Sequence, residues 1–214
     1  MRIVAIVPIK LNNERLPGKN TKLLGGVPLI VYCLKTLLDV KTISEIYVYC
    51  STQEIVQFLP EGVSFLKRPQ YLDLPESNFT QIFTEFRNSV PSDVYVYAHA
   101  TAPFIKTDTV KRALHAVLSG QFDSAFCAEK IQDFLWQDHS PLNFDQHNLP
   151  RSQDLPLVYR ETSGVYVFTK NVFDLNNSRI GAKPCIIEVT RKESVDINTE
   201  EDFHFAEIML NADL

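Results

Sequence analysis

Short apolar runs alternate with stretches of helical periodicity along most of the chain. The first run, residues 2–9, is continuous and rich in β-branched side chains, which is typical of a central strand buried on both faces. Strands that alternate with helices indicate an α/β fold with a parallel sheet covered on both faces. Further strands are predicted at residues 45–50, 63–66, 93–98, 124–129, 164–169 and 185–189, and helices at residues 28–38, 78–88, 107–118 and 199–210.

Two segments depart from this alternation. Residues 10–26 are polar and interrupted by proline and glycine, so they predict a long loop directly after the first strand. Loops of that length in compact domains are usually functional. Residues 130–159 contain Trp136 and several prolines but show no clear period. We interpret this second segment as an excursion from the sheet.

Composition and charge exclude several classes of protein. Apolar residues make up 45% and charged residues 22% of the 214 residues, a balance typical of a soluble globular chain with one large domain. Lys and Arg number 21 against 26 Asp and Glu, so a nucleic-acid partner is not expected. No apolar run is long enough to span a membrane, and none resembles a secretion signal. These features predict a cytoplasmic protein with four reduced, mostly buried cysteines.

The loop after the first strand carries the clearest candidate chemistry. Open α/β sheets bind ligands at the carboxyl ends of their strands. Lys10, Arg15 and Lys19 can neutralise a polyphosphate there, and Gly18 allows close approach of the backbone. The loop lacks the GxxxxGK[ST] pattern, so it is not a Walker A loop. A solvated basic loop explains the same residues, and both interpretations stay open at this point.

The same loop, residues 8–20 (PIKLNNERLPGKN), resembles the signature P-A-R-G-G-S-K-G-I-P-G-K-N of the CMP-sugar-acid synthetases. This acylneuraminate cytidylyltransferase family is a branch of the nucleotidyltransferases. Together with the loop, five further segments in the family's order make the resemblance specific over nearly the whole chain. They are residues 22–30 (KLLGGVPLI), 68–69 (RP), 99–103 (HATAP), 153–166 (QDLPLVYRETSGVY) and 195–203 (VDINTEEDF).

Several positions depart from the family pattern. Lys10 stands where the family has arginine, and residues 11–13 replace its Gly-Gly-Ser segment. Glu14 occupies a position that is lysine in the sialic acid members. His99 replaces a glutamine, and Asn198 replaces the second of two aspartates. An asparagine keeps an oxygen ligand but brings no charge, so the resemblance implies a metal site weaker than in relatives.

The resemblance implies both an architecture and an activity. The expected fold is a Rossmann-like, three-layer α/β nucleotidyltransferase domain over residues 1–214, with a mostly parallel sheet. The expected reaction transfers CMP from CTP to an acidic 2-keto sugar, with Mg²⁺ bridging phosphate oxygens and pyrophosphate leaving. A nonulosonic acid of sialic, legionaminic or pseudaminic type, used for cell-surface glycans, fits the later motifs. The alternatives are an octulosonate cytidylyltransferase, a degenerate nucleotide-binding protein and a glycosyltransferase.

The resemblance also implies roles for individual residues. Lys19, Lys10 and Asp196 are expected to be catalytic, with Lys19 stabilising transition-state charge. The residues expected to contact the nucleotide are Lys10, Arg15, Lys19, Asn20, Arg68, Ser77 and Asn78. Those expected to contact the sugar acid are His99, Gln153, Tyr159, Arg160 and Tyr166. The expected metal ligands are Asp196 and Asn198.

Structural explanations compete with five of these roles. Asp196 could be a carboxylate that only closes a loop. Asn78 also fits a plain helix N-cap, and Asn198 with Glu201 fits an N-cap of the last helix. His99 could be a satisfied histidine at a strand end, and Arg160 could belong to a surface ion pair.

By the same resemblance, residues 130–160 are expected to be an insertion that covers substrate and forms a homodimer. In relatives this region reaches over the neighbouring subunit's site. Phe134, Leu135 and Trp136 are the side chains expected to be buried there. The alternative is a flap that packs on its own chain in a monomer.

Overall fold

The computed structural model describes residues 1–212 and contains eleven strands and five α-helices in that range. The strands are β1 (Ile3–Ile9), β2 (Leu23–Leu24), β3 (Val27–Pro28), β4 (Glu45–Cys50), β5 (Val63–Lys67), β6 (Val94–Ala98), β7 (Ser124–Ile131), β8 (Trp136–Gln137), β9 (Ser140–Pro141), β10 (Val158–Thr169) and β11 (Pro184–Val189). The helices are α1 (Leu29–Leu38), α2 (Phe79–Ser89), α3 (Thr107–Leu118), α4 (Lys170–Asn176) and α5 (Glu200–Asn211).

Seven strands form the central sheet in the order β11-β7-β10-β6-β1-β4-β5. All pairs are parallel except those of β10, which runs antiparallel to both β6 and β7. The predicted α/β fold with a mostly parallel sheet is confirmed. Six carboxyl strand ends therefore lie along one edge of the sheet, and β10 begins at that same edge.

Alternating side chains of β1 pack into two separate cores. Ala5 and Val7 join an aliphatic core with buried residues of α1 and α3. Val4 and Ile6 face the opposite side, where a cluster of aromatic rings from α2, α4 and the sheet is buried. Both faces of the strand are covered, which explains why its sequence is a continuous apolar run rather than an alternating one.

Three helices, α1, α2 and α5, begin one residue later than predicted. The first helix begins at Leu29, because Pro28 is its N-cap and also ends β3. The expected N-cap role of Asn198 is wrong. Thr199 caps α5, since its hydroxyl accepts from the backbone of Asp202 and the Asp202 carboxylate accepts from the backbone of Thr199 at 2.8 Å. This reciprocal capping box fixes the helix start one residue later than predicted.

The segment between β7 and β10 leaves the central sheet and folds on itself. The small hairpin β8–β9 lies in it, and Phe144 contacts both Phe134 and Trp136 with ring centroids 4.9 and 5.4 Å apart. Phe134 and Trp136 nevertheless remain 40% and 54% exposed. This segment therefore presents aromatic surface to solvent in the single chain.

Two further features concern the state of the cysteines and the length of apolar helices. Cys33, Cys50 and Cys127 are buried, Cys185 is partly buried, and all four are unbridged. Within residues 1–212, no helix is both long and apolar enough to cross a bilayer.

Candidate active site

The loop after β1 turns the Lys19 side chain inward. Gly18 adopts φ +66°, a left-handed conformation that glycine reaches without strain, and a short 3₁₀ turn over Lys19–Thr21 follows. Lys19 is only 8% exposed, and its Nζ donates to the carbonyl of Ile197 at 2.9 Å. The loop is thereby fastened to the segment that precedes α5.

Asn198 connects the cationic loop to Asp196. Its side-chain oxygen accepts from Arg15 Nη2 at 2.8 Å and from Lys19 Nζ at 3.3 Å, and its amide nitrogen donates to Asp196 Oδ2 at 2.8 Å. Two cations from the loop after β1 and a carboxylate from the segment before α5 therefore meet at one amide. Lys19 and Asp196, both expected to be catalytic, therefore belong to one cluster in the fold.

The surroundings of Lys19 act on its pKa in opposite directions. Burial lowers the pKa of Lys19, and the neighbouring Arg15 lowers it further, while the Asp196 carboxylate acts in the opposite direction. The ammonium is thus poorly solvated and close to fixed charges. A buried cation in this setting interacts more strongly with an incoming anion than a solvated one does.

A pocket of about 260 Å³ lies beside this cluster, at the carboxyl ends of β1, β5 and β6. Its walls come from the loop after β1, the segment after β5 and the segment after β6. Six of the predicted site residues line it: Lys10, Lys19, Asn20, Arg68, Ser77 and His99.

One acidic residue, Asp73, holds Arg68 and Lys10 in the wall of this pocket. The Arg68 guanidinium forms an ion pair with the Asp73 carboxylate, and Lys10 Nζ donates to the Asp73 carbonyl at 3.1 Å. Asn20 fixes the other side of the loop, where its amide donates to the carbonyl of Lys10 at 3.0 Å. These contacts give the pocket a rigid, cationic wall.

His99 lies at the end of β6, with its Nε2 buried and without a hydrogen-bond partner among the described residues. Its ring packs near Tyr97 and Tyr166, with centroids 5.3 and 6.2 Å away. Burial lowers the pKa of His99 to about 4, the Arg179 and Lys19 cations lower it too, and Asp196 offsets part of the shift. His99 is therefore neutral near pH 7, which favours hydrogen bonding over charge pairing with a ligand.

The His99 environment predicts an acid-sensitive fold. A folded pKa of about 4, below the ordinary 6.5, leaves stability complete above pH 6.5 and removes it as the pH falls toward 4. We expect this group to cost about 2 kcal/mol of unfolding free energy between about pH 7 and about pH 4.5. Urea unfolding of wild-type protein and of His99→Gln at both pH values measures it. Equal losses in the two proteins would contradict the prediction.

A second pocket of about 460 Å³ lies on the other side of Asp196. Asp196 and Arg160 both line it, together with Glu129 and Arg191. Arg160 forms an ion pair with Glu129, and Ser194 Oγ donates to the same carboxylate at 3.1 Å. The Arg160 side chain keeps 60% exposure, whereas Glu129 keeps 12%. The ion pair expected as an alternative is present, and it leaves the guanidinium accessible from the pocket.

Six predicted residues line neither pocket. Two of them, Arg15 and Asn198, belong to the cluster with Lys19 and Asp196, and the other four lie elsewhere. Gln153 lies on an exposed 3₁₀ turn, and Tyr159 is 36% exposed on the early part of β10. Tyr166 is buried and donates to Glu161 Oε1 at 2.5 Å. Asn78 is the N-cap of α2 in a capping box with Gln81, as the structural explanation predicted.

Sequence reasoning missed two acidic residues that hold the site together. Asp73 orients Arg68, and Glu129 orients Arg160. Glu129 ends a predicted strand, but Arg160 precedes the predicted strand 164–169. The pairing of the two residues became visible only in the structure, where β10 begins at Val158. No sequence pattern pointed to Asp73, which lies on a short 3₁₀ turn.

The donors near Asp196 fit a magnesium ion held by one protein carboxylate. Asp196 Oδ1 is buried and has no hydrogen-bond partner in the chain as far as residue 212, and carboxylate oxygen is a ligand that Mg²⁺ prefers. The Asn198 oxygen is already engaged by Arg15 and Lys19. Over the same residues no cluster of three or more His, Cys, Asp or Glu side chains could hold a metal. Most ligands of such an ion must therefore come from substrate and water.

The fold and the site are those of the α/β nucleotidyltransferase class of proteins. The profile of the cytidylyltransferase family matches residues 4–206, so the chain belongs to the cytidylyltransferase family.

Relatives of known activity align along nearly the whole chain. It is 27% identical to the N-acylneuraminate cytidylyltransferase of Oncorhynchus mykiss over 96% of its own length and 49% of that protein. It is 26% identical to the CMP-N,N'-diacetyllegionaminic acid synthase of Legionella pneumophila, over 98% of its own length and 97% of the relative. The chain thus spans about half of the fish protein and nearly all of the bacterial one.

A solved structure confirms the architecture. The structure of a CMP:2-keto-3-deoxy-manno-octonic acid synthetase complexed with CTP superposes with a TM-score of 0.77 and covers 100% of both chains. The sequences are 17% identical, so this likeness concerns the fold.

Proposed function

We propose that this protein transfers CMP from CTP to a nonulosonic acid of sialic, legionaminic or pseudaminic type and releases pyrophosphate. The observation that carries the proposal is the position of the Lys19–Asn198–Asp196 cluster between two pockets. The smaller pocket has cationic walls suited to a nucleoside triphosphate. The larger one has an accessible guanidinium suited to an acidic sugar.

The nucleotide side works through fixed cations. Lys10, Arg15 and Lys19 neutralise the triphosphate, and Lys19 faces the charge that develops as the α-phosphorus becomes five-coordinate. Asn20 and Ser77 hold the nucleoside side of the pocket, and Asn78 places Ser77 by capping α2. These groups are already held by hydrogen bonds, so little reorganisation is needed during the reaction.

A magnesium ion supplies charge neutralisation for the phosphate oxygens when it is bound. Asp196 Oδ1 is the protein ligand that we propose for it, and the Asn198 amide orients this carboxylate through Oδ2. Asn198 is at most a weak ligand, because its oxygen accepts from two cations.

The residues proposed to bind the sugar acid also position the nucleophile. Arg160 binds the sugar carboxylate, and the neutral His99 contributes a hydrogen bond from the nucleotide side. Held there, the anomeric hydroxyl oxygen forms a bond to the α-phosphorus while the bond to pyrophosphate breaks, and the hydroxyl proton passes to solvent water. Gln153, Tyr159 and Tyr166 are proposed to complete this side; Tyr166 supports it from the core through Glu161.

Pyrophosphate release from CTP tests the proposal directly. Purified protein is incubated with CTP and Mg²⁺ and with each acid of a panel of 2-keto sugar acids, including 3-deoxy-manno-octulosonate. We expect release with a nonulosonic acid and formation of the matching CMP-sugar. Release with octulosonate alone would favour the octulosonate cytidylyltransferase. CTP binding without release for any acid would favour a degenerate nucleotide-binding protein.

We further propose that the protein is a homodimer built on residues 130–160. Phe134 and Trp136 of this segment are exposed in the single chain, and burying such aromatic side chains against a second copy would stabilise the assembly. The segment would then bring Gln153 toward the partner's substrate. Light scattering is expected to give twice the chain mass of 24.4 kDa; a particle of the single-chain mass would contradict the dimer.

A cytoplasmic location is part of the same proposal. The four cysteines are unbridged, and three of them are buried, a state that a reducing compartment maintains.

A further inference from the structure

Asp73 connects two walls of the nucleotide pocket without lining the pocket itself. Its carboxylate pairs with Nη2 of Arg68 through Oδ1 and accepts from the hydroxyl of Ser51 through Oδ2. Its backbone carbonyl accepts from Lys10 Nζ at 3.1 Å. Arg68 and Lys10 both line the pocket. One residue thus orients two of the side chains that are expected to contact the nucleotide.

The Arg68 guanidinium is buried and incompletely partnered. Arg68 is 3% exposed, its backbone N–H donates to the carbonyl of Cys50 at 2.8 Å, and its Nη2 is held by Asp73. Its Nε is buried and has no hydrogen-bond partner anywhere in residues 1–212. A buried donor without a partner is energetically unfavourable, so this N–H is expected to gain a partner when the pocket is filled.

A fixed guanidinium distinguishes pyrimidines by their hydrogen-bonding edges. Every N–H group of arginine is a donor, and none can accept. Cytosine presents neighbouring acceptors at O2 and N3, whereas uracil carries an N–H at N3. A donor held opposite that position pairs with cytosine and meets another donor in uracil. Sites built around such a polar contact reject the mismatched analogue strongly.

We infer that Asp73 is a positioning residue that sets the preference for cytosine over uracil nucleotides, because it holds the Arg68 guanidinium against the base. The inference rests on the proposed function in assuming that a nucleoside triphosphate occupies this pocket with its base beside Arg68. Asp73 itself touches no part of the base. Its effect passes entirely through Arg68.

Calorimetric titration of the full chain with CTP and with UTP tests this inference without any sugar acid. In Asp73→Asn, we expect the ratio of the UTP to the CTP dissociation constant to fall by about tenfold. The fall should come from weaker CTP binding. Asp73→Glu keeps a carboxylate and should restore part of the ratio.

Two controls separate positioning from general damage to the fold. Side-chain replacement spares the Asp73 carbonyl that accepts from Lys10, so the affinity for inorganic tripolyphosphate should not change in Asp73→Asn. Asp174→Asn removes the acidic partner of another arginine, Arg87, in an ion pair outside both pockets. This matched variant should keep the wild-type ratio.

The outcomes distinguish this inference from the proposed function. An unchanged ratio in Asp73→Asn, or an equal loss of CTP, UTP and tripolyphosphate binding, would overturn the inference alone. Wild-type protein that binds neither nucleotide would overturn the proposed function as well. If Asp73→Asn does not fold, Ser51→Ala releases one restraint on the same carboxylate and should lower the ratio about threefold. No change in that variant would likewise overturn the inference.

Discussion

Replacing Lys19 by methionine is expected to lower kcat for CMP transfer by about 10²- to 10³-fold. Lys19 is a buried ammonium fixed at 2.9 Å from the carbonyl of Ile197 and placed between the two pockets. Methionine fills a similar volume but supplies no charge where negative charge accumulates on the α-phosphate. Steady-state pyrophosphate release measures the loss, and thermal unfolding checks that the fold is retained.

Lys22 provides a matched control for Lys19 in the same loop. It pairs with Glu200 at the surface and lines neither pocket, so Lys22→Met should leave kcat within about twofold of wild type. Equal losses in the two variants would mean that the loop contributes only general positive charge. A Lys19→Met enzyme with wild-type kcat would remove Lys19 from the catalytic assignment.

Replacing Asp196 by asparagine is expected to lower kcat/KM by on the order of 10²-fold and to raise the Mg²⁺ concentration needed for half-maximal rate. The reason is that Asp196 Oδ1 is the buried carboxylate oxygen left without a protein partner in the cluster. Titration of Mg²⁺ against turnover at saturating CTP measures both effects. Unaltered magnesium saturation in this variant would refute the metal role of Asp196.

The complementary change, Asn198→Asp, has a readout that does not depend on turnover. It replaces the amide that now donates to Asp196 at 2.8 Å, so two carboxylates would face each other in the free protein. We expect a lower Tm without metal and a rise in Tm on adding Mg²⁺, because the ion would relieve the repulsion. The wild-type Tm should respond much less. Equal responses would contradict this description of the cluster.

The central elements of the fold were predictable because their sequence patterns are local. The run 2–9 and the helical spacing of 107–118 contain their own periodicity, and the structure has β1 and α3 there. The direction of β10 was not predictable from its apolar pattern, because a strand buried on both faces looks alike in either orientation. Helix α4, with seven residues, is too short to give a clear period.

The same difference between local sequence patterns and long-range contacts applies to the candidate site. Lys19 and Asp196 were predictable from motifs, and their juxtaposition follows from strand ends that share one edge. The contributions of Asn198 and Asp73 depend on side-chain hydrogen bonds between segments far apart in sequence, which no periodicity encodes. The predicted cap at Asn198 failed because the neighbouring Thr199 pairs with Asp202, a better-placed box that the sequence also contains.

A crystal structure of the protein with CTP and Mg²⁺ tests the central claim most directly. The account predicts the triphosphate in the pocket beside β1, with a phosphate oxygen within hydrogen-bond distance of Lys19 Nζ and the metal ion bound to Asp196 Oδ1. A nucleotide bound outside this pocket, or a metal ion held without Asp196, would contradict it.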